Sequence, residues 1–358
     1  MIHVELMQFS AILLMTLLAL KLFLLPKSAI ASAIVRKSRL FLFIGTSLLA
    51  IQFLLQYVLG WRAREITYAI MLNLAFFIPC SVFFSLAVLY LQRHGHVNFI
   101  EKYIGVPVWC LAMAIMTIGI VLGNLLWAEI IASVLYAAVQ LYYTIREMRY
   151  MRHLRETLAN YYDGDMDHVL EWMQWSIIQL TLMAVMVPII IFGHGPLLAV
   201  FALLFFFGIF YLVDSFCLFV VSNTPAKVVE AETEQAQTET EESEVHVSDD
   251  SMHRVDLAVK AWIAKRGHLK AGLNMPNAAE EIGVPRYLLS SWLKQKGVRY
   301  NDWLTEMRID EAKRVLRDHP EWSNETVSQH CGFNDRTYFQ RKFKEITGTT
   351  PHDFLNLI

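Results

Sequence analysis

The chain has 358 residues, of which 55% are hydrophobic and 18% are charged, and its formal net charge is −2. This near-neutral charge is a cancellation between regions. Residues 1–222 contain 13 basic and 11 acidic residues, residues 223–250 contain 1 basic and 9 acidic residues, and residues 251–358 contain 17 basic and 13 acidic residues. Four scattered cysteines without ligand-like spacing exclude a disulfide framework and a zinc site of the usual kind.

The N-terminal region consists mainly of long apolar segments. A transmembrane helix needs about 20 mostly apolar residues. Seven segments meet this requirement, roughly Leu6–Leu25, Leu40–Leu59, Tyr68–Leu91, Val106–Leu122, Leu126–Ile145, Met173–Phe192 and Leu197–Val221. The first does not resemble a cleavable signal peptide, because Lys21 follows its apolar run instead of preceding it. Only Gly123-Asn124 separates the fourth segment from the fifth, so these two form a predicted tight helical hairpin.

The basic residues between the segments predict an orientation. Connections after the first, third and fifth segments contain ten lysines and arginines: Lys27, Arg36, Lys37, Arg39, Arg93, Lys102, Arg146, Arg149, Arg152 and Arg155. The alternate side has two, Arg62 and Arg64. The positive-inside rule therefore predicts that the odd-numbered connections and the C-terminus are cytoplasmic and that the N-terminus is outside.

Charged residues inside the spans are candidate sensing or structural groups, because a charge in the membrane is costly and often functional. They are Lys21, Glu129 and Asp214. Lys21 and Asp214 lie at similar depths near the cytoplasmic ends of the first and seventh segments, so an ion pair between them is one hypothesis. The alternative is a lysine that extends toward the interface and a partly hydrated aspartate. Amides such as Gln52 and Asn73 also fit simple helix-to-helix contacts.

A long connection between the fifth and sixth segments, residues 146–172, reads as a basic helical extension, a turn at Asp163-Gly164 and an acidic lead-in to the next helix. Asp163, Asp165 and Asp167 resemble the start of a calcium loop. The twelfth position of such a loop requires Glu but is Gln174 here, which argues against calcium. Residues 223–251 follow the seventh segment and are rich in Glu, Thr and Gln, so they are predicted to be a disordered acidic linker.

The remaining residues, 252–358, contain a repeated pattern. In the first copy a short helix ends before Gly283 and a second helix begins near Pro285. In the second copy a helix ends at Cys331, Gly332 makes the turn, and Asp335 caps the following helix. Helix, glycine turn and helix form a helix-turn-helix motif, and a helical stretch over Trp303–Arg317 joins the two copies.

This tail resembles the DNA-binding domain of the AraC/XylS family of bacterial transcription regulators over about Val255 to Leu355. The most specific stretch contains Gly332, Phe333, Asp335, Tyr338, Phe339, Phe343, Lys344, Gly348 and Pro351. The chain departs from the family at Asn324, where an aliphatic residue is usual, and at Leu355, where arginine is usual. The resemblance implies a monomer that reaches successive major grooves, roughly 34 Å apart.

Helical spacing and the resemblance together identify candidate DNA contacts. In the second motif Phe339 and Phe343 face the core, which turns Arg336, Thr337, Gln340 and Arg341 outward. In the first motif Leu289 and Leu293 face inward. The predicted base-reading residues are Tyr287, Ser290, Ser291, Arg336, Thr337, Gln340 and Arg341. The predicted phosphate contacts are Arg286, Lys294, Arg308, Lys342 and Lys344.

The sequence therefore predicts an all-α chain: a seven-transmembrane helical bundle over residues 1–222, a disordered acidic linker, and an AraC-type domain with two helix-turn-helix motifs. The predicted function is a membrane-bound one-component transcription regulator in the bacterial inner membrane, multi-pass, with the DNA-binding domain in the cytoplasm. Its predicted partners are double-stranded DNA, RNA polymerase, the lipid membrane, a second copy in a homodimer, and a small or lipophilic ligand. No metal, cofactor or enzymatic activity is expected, because no catalytic cluster appears at chemical spacing. Two alternatives remain for the bundle: a transporter or membrane enzyme with a fused DNA-binding tail, or a passive anchor or dimerisation device.

Overall fold

The computed structural model describes residues 2–30, 32–60, 66–164, 167–190, 196–222 and 249–356. Within these ranges every regular element is a helix. The predicted linker lies almost entirely outside the described residues. Its last residues, 249–251, belong to the first turn of a helix that begins at Asp249. Asp249 and Asp250 suit that position, because negative side chains interact favourably with the N-terminal end of a helix.

The chain divides into two compact units. The first comprises residues 1–152 and 169–225, and the second comprises residues 153–168 and 226–358. Residues 153–168 lie inside the predicted N-terminal domain over 1–222 but group with the C-terminal unit in this division, and the domain bounds stay a prediction. The physical reason for this grouping is a set of hydrogen bonds that residues 161–164 make within the second unit, including one from the backbone N–H of Leu273 to Asp163.

The first unit is built mainly from long apolar helices, with one short helix, the fourth, between two of them. They are α1 (Ile2–Phe23), α2 (Ala33–Leu59), α3 (Ile66–Gln92), α4 (Phe99–Tyr103), α5 (Gly105–Leu122), α6 (Leu125–Tyr161), α7 (Asp167–Ile190) and α8 (Pro196–Val221). Helix α6 has 37 residues, and its residues from His153 onward belong to the second unit. At 1.5 Å per residue it is about 55 Å long, well beyond the thickness of a bilayer core.

Six helices of the described chain are long and apolar enough to cross a membrane, and they lie within Ala33–Leu59, Tyr68–Gln92, Phe99–Leu122, Leu125–Tyr161, Leu170–Pro188 and Val200–Val221. A shorter apolar stretch, Gln8–Phe23, occupies most of α1. The count of seven spans stays a prediction.

Local sequence explains the turn between α5 and α6. Gly123 ends α5 with a φ of 68°, in the left-handed region that favours glycine, and α6 begins two residues later at Leu125. The predicted helical hairpin is confirmed. Close helix packing also depends on a missing side chain at Gly45 of α2, where a Cβ would stand 2.5 Å from the ring of Phe84 in α3.

In its described part the second unit contains the end of α6, the first residues of α7, a short 3-10 helix (Gly267–Leu269) and seven further α-helices. They are α9 (Asp249–Ala264), α10 (Met275–Ile282), α11 (Arg286–Lys296), α12 (Tyr300–Asp318), α13 (Asn324–His330), α14 (Arg336–Thr347) and α15 (Pro351–Asn356). Two hydrophobic clusters stabilise it. One includes Trp262, Leu289 and Trp292, and the other includes Phe339 and Phe343.

Helix α12 belongs to both clusters. Its first part contributes Tyr300 and Leu304 to the first cluster, and its second part contributes Ile309 and Leu316 to the second. Because one continuous helix contributes buried side chains to both clusters, it connects the two halves of the domain. The predicted joining helix, Trp303–Arg317, is confirmed and extends slightly further at each end.

Candidate DNA-binding surface

The first helix-turn-helix motif consists of α10 and α11. The side chain of Asn274 accepts a hydrogen bond of 3.0 Å from the backbone N–H of Asn277 and thereby caps α10. Gly283 ends α10 with a φ of 80°, and α11 begins at Arg286 after Pro285. The turn is therefore made by residues whose backbone preferences suit it.

The second motif consists of α13 and α14. Ser323 caps α13 by accepting a hydrogen bond of 3.1 Å from Thr326 N–H, and Asp335 caps α14 by accepting one of 2.6 Å from Tyr338 N–H. Gly332 makes the turn with a φ of 81°. A Cβ at Gly332 would also stand 2.5 Å from the carbonyl oxygen of Leu269, so no larger residue fits there without a shift of the backbone.

The predicted base-reading face of the second motif is accessible. Arg336, Thr337 and Arg341 are exposed and Gln340 is half-buried, whereas Phe339 and Phe343 are fully buried. The guanidinium of Arg341 lies 5.5 Å from the centroid of the Tyr338 ring, within the range of a cation–π contact. This contact orients a cation on the outer face of α14, where a major groove could be read.

The corresponding face of the first motif is less accessible. Tyr287, Ser290 and Ser291 are half-buried, although Leu289 and Leu293 point into the core as predicted. Short hydroxyl side chains that are half-buried reach base edges less readily than a long exposed arginine. The first motif therefore offers the weaker candidate surface, and its roles in base reading stay predictions.

Among the predicted phosphate contacts, Lys294 and Lys344 are exposed, and Arg286 and Lys342 are half-buried. Lys342 also forms an ion pair of 3.0 Å with Glu345, one turn further along the same helix. Burial lowers the pKa of the Arg286 guanidinium from its usual value, and the nearby Tyr161 acts in the opposite direction. Lys294 and Lys344 are therefore the most accessible cations of this group.

The prediction for Arg308 is wrong. Its side chain is 1% exposed, so it cannot reach a phosphate group in this conformation. Its Nε donates a hydrogen bond of 2.9 Å to the carbonyl oxygen of His268, and its guanidinium also donates one of 2.5 Å to that of Lys270. Asp163 accepts a further bond of 3.1 Å. Arg308 is a buried structural cation because these acceptors compensate for the loss of hydration.

Sequence reasoning missed two residues near Arg308. Asp163 was placed at a turn and weighed as the start of a calcium loop, yet its side chain is 6% exposed and accepts a hydrogen bond from the backbone N–H of Leu273. Asn301 is buried on α12 and contacts both Gly164 and Tyr338. The Asp-Gly dipeptide marked the turn, but no local signal pairs Asp163 with an arginine 145 positions later in the chain.

The charged and amide residues of the apolar unit take definite positions. Lys21 Nζ and Asp214 Oδ1 form an ion pair between α1 and α8, both side chains being partly exposed. Glu129 is buried on α6. Gln52 and Gln56 of α2 each donate a hydrogen bond of 2.6 Å to Asn73 Oδ1 of α3, which joins these helices. A sensing role for Lys21, Glu129 or Asp214 stays a prediction.

The geometry of the C-terminal unit defines a class of protein. Two helix-turn-helix motifs, each with a glycine in the left-handed region, are joined by one helix whose buried side chains enter both cores. Such an arrangement presents a helix from each motif to DNA.

Comparison with known proteins identifies the family of this unit. Residues 278–356 match the sequence model of a family described as a helix-turn-helix domain. Over 88 residues, 24% of this chain, the sequence is 26% identical to Regulatory protein PocR of Salmonella typhimurium, covering 29% of that protein. Over 106 residues, 29% of this chain, it is 28% identical to the HTH-type transcriptional activator RhaS of Escherichia coli O157:H7, covering 37% of that protein. Over 85 residues, 24% of this chain, it is 34% identical to the Arabinose operon regulatory protein of Escherichia coli K12, covering 29% of that protein.

The C-terminal part of the chain is thus an AraC-type helix-turn-helix domain. The chain spans between 29% and 37% of the length of these three relatives. No solved structure matches the chain significantly. The resemblance inferred from the motif residues of the tail is confirmed, and it applies to the tail alone.

Proposed function

We propose that this protein is a membrane-bound one-component transcription regulator. Its apolar helices hold it in the inner membrane of a bacterial cell, and its AraC-type domain binds promoter DNA from the cytoplasm. The observation that carries this proposal is the joint presence, in one chain, of six helices with membrane-spanning length and a two-motif DNA-binding domain.

The second motif is the principal reader in this proposal. Arg341 and Arg336 lie exposed on α14, and an arginine can donate two hydrogen bonds to the major-groove edge of guanine. Thr337 can contact the methyl group of thymine, and the half-buried Gln340 can pair with adenine. Lys294 and Lys344 hold phosphates and set the register without reading sequence.

The membrane helices act as the sensor. The basic residues of the connections favour a cytoplasmic DNA-binding domain, and short external links leave little room for a folded external ligand-binding domain. A small or lipophilic ligand would therefore reach the bundle between helices or through the lipid. RNA polymerase and a second copy of the chain are the proposed protein partners. The relative RhaS is described as a transcriptional activator, which favours activation.

The decisive experiment is genome-wide mapping of DNA bound by the full chain in its native host, alongside an Arg341→Ala variant of equal abundance. We expect the unmodified chain to be found in the membrane fraction and to give discrete peaks at promoters. The variant should lose those peaks. Peaks that persist in the variant would show that α14 does not read DNA as proposed. A reporter fused after residue 358 that proved periplasmic would overturn the topology.

A helix-replacement experiment then tests the sensor role. The apolar unit is replaced by an unrelated membrane anchor, and transcription from a mapped promoter is measured across growth conditions that change it. A sensor predicts that regulation disappears while binding remains. Unchanged regulation would instead identify the unit as a passive anchor, and transport or turnover of a small molecule by the full chain would favour the remaining alternative.

A further inference from the structure

Residues 153–168 form part of the same compact unit as the DNA-binding domain. They comprise the end of α6, the bend at Asp163-Gly164 and the beginning of α7. Among the described residues of this segment, Tyr161, Asp163 and Gly164 make the polar contacts with the domain that are described below, and we name residues 161–164 the tip. Both ends of the segment continue in sequence into helices of the apolar unit, so the tip is covalently linked to that unit on either side.

The tip contacts the first half of the domain where the first motif begins. Asp163 Oδ2 accepts a hydrogen bond of 2.8 Å from the backbone N–H of Leu273. The next residue, Asn274, caps α10 and also directs its side-chain amide to the Tyr161 hydroxyl, at 3.5 Å. The tip therefore contacts the backbone segment that starts the first helix-turn-helix motif.

The tip also contacts the helix that joins the two halves. The Asp163 oxygen that accepts from Leu273 lies 3.1 Å from the Arg308 guanidinium on α12. The Asn301 amide on the same helix donates a hydrogen bond of 2.8 Å to the carbonyl oxygen of Gly164. Asn301 in turn accepts a bond of 2.7 Å from Tyr338 of α14. The tip is thus connected to both motifs through buried polar contacts.

One predicted DNA contact lies beside the tip. Tyr161 is buried and interacts electrostatically with Arg286, the first residue of α11. Arg286 is half-buried, and burial lowers the pKa of its guanidinium. Arg286 is therefore less accessible to a phosphate group than the exposed Lys294 on the same helix.

We infer that the tip is an autoinhibitory restraint, which holds the two motifs in one arrangement and limits DNA binding by the first motif until the tip is released. This inference rests on the proposed function and specifies how the DNA-binding site is regulated. A signal that moves α6 or α7 would reach the domain through the tip. The acidic residues 223–248 need not transmit it.

The test uses the full chain in lipid nanodiscs and a duplex taken from a mapped promoter, with a shuffled duplex for comparison. Asp163→Asn removes the charge that pairs with Arg308 and weakens the acceptor for Leu273, while Arg308 keeps its two carbonyl acceptors. We expect affinity for the promoter duplex to rise by about tenfold, since hydrogen bonds to charged groups are among the stronger ones. Amide hydrogen exchange in residues 270–275 should also accelerate.

Two further variants separate restraint from net charge and from misfolding. Glu156→Gln removes one negative charge from the same segment at an exposed position of α6, and it should leave affinity near that of the unmodified chain. Tyr161→Phe keeps the ring but removes the hydroxyl that faces Asn274, so we expect a smaller rise in affinity with unchanged thermal stability.

The outcomes distinguish this inference from the proposed function. Equal increases for Asp163→Asn and Glu156→Gln would mean a general charge effect and would overturn the restraint. The restraint would also be overturned if Asp163→Asn accelerated amide hydrogen exchange at residues 270–275 but left DNA affinity unchanged. An unchanged exchange rate at these residues would overturn it as well. If the unmodified chain binds promoter and shuffled duplexes equally, and Arg341→Ala changes neither, the proposed function itself fails.

Discussion

The hydroxyl of Tyr338 donates a hydrogen bond of 2.7 Å to Oδ1 of Asn301. Tyr338 lies on the candidate recognition helix α14, and Asn301 lies on the connecting helix α12. Both side chains are buried, and Thr305 donates a second bond of 3.0 Å to the same amide oxygen. The orientation of α14 therefore depends on a polar contact as well as on its hydrophobic core.

Tyr338→Phe should lower the free energy of unfolding of the C-terminal domain by about 1 kcal/mol, the net contribution of a typical hydrogen bond. The phenyl ring keeps its packing, and Thr305 still satisfies the Asn301 oxygen, so the domain should remain folded. Pulse proteolysis of the full chain in detergent with increasing urea measures the change. A Thr305→Val variant is the matched comparison, and a double variant that is simply additive would show that the two hydroxyls do not share this network.

Arg341→Ala should reduce affinity for the mapped promoter duplex by about 1–3 kcal/mol and should relax preference at one base pair, because a bidentate arginine–guanine contact discriminates between bases. Lys344→Ala should weaken binding to promoter and shuffled duplexes alike, since a phosphate contact carries no sequence information. Fluorescence anisotropy at two salt concentrations measures both effects. Lys265→Ala, an exposed cation outside both motifs, is the control. If it matches Arg341→Ala, the loss reflects net charge alone.

The buried imidazole of His268 predicts a pH dependence of stability. Burial lowers its pKa from the usual 6.5, and Arg308, Arg266 and Arg314 act in the same direction, whereas Glu311 opposes them. The unfolded chain therefore takes up a proton at this site more readily than the folded domain as the pH falls below about 6.5. Because the folded pKa is depressed for a base, the stability is present above pH 6.5 and declines as the pH falls toward the folded pKa.

We expect the urea midpoint of the C-terminal domain to decrease between pH 7 and pH 5.5, and His268→Gln to reduce this dependence. The carboxylate of Glu281 does not interfere in that window, since hydrogen bonds from Lys270 and Trp262 hold its pKa below its usual 4.5 despite burial. The exposed His253 supplies a control as His253→Gln. An identical pH profile for His268→Gln and the unmodified chain would contradict the prediction.

Local patterns in the sequence were sufficient to predict the helices and helix caps of the C-terminal domain. The four-residue spacing of Phe339 and Phe343 predicted the exposed positions of Arg336 and Arg341 because helical geometry alone determines which side chains share a face. Glycines at positions 283 and 332 likewise predicted turns that require positive φ. The two motifs and their connecting helix followed from these signals.

Long-range contacts could not be predicted in the same way. The helical spacing of α12 is compatible with either an exposed or a buried Arg308. Arg308 is buried because residues 267–273 pack against it and supply two carbonyl acceptors. The sequence around Asp163 predicted a turn, but nothing in it predicted that Arg308 would be its partner. One long-range contact was suggested by position, since Lys21 and Asp214 lie at similar predicted depths in the first and seventh segments, and the ion pair was one of the two alternatives for them.

The ion pair between Lys21 and Asp214 predicts a specific effect on the apolar unit. Asp214→Asn should destabilise the contact between α1 and α8 by about 1 kcal/mol, because polar contacts between membrane helices average less than 1 kcal/mol and reach about 1.7. Both side chains are partly exposed, so a larger loss is not expected. Thermal unfolding in nanodiscs measures the effect. The charge-exchanged double variant, Lys21→Asp with Asp214→Lys, should recover part of the stability that each single change loses. If the double variant is less stable than both single variants, the two residues contribute independently to stability. Any change in promoter output caused by Asp214→Asn would then reflect Asp214 itself and not its pairing with Lys21.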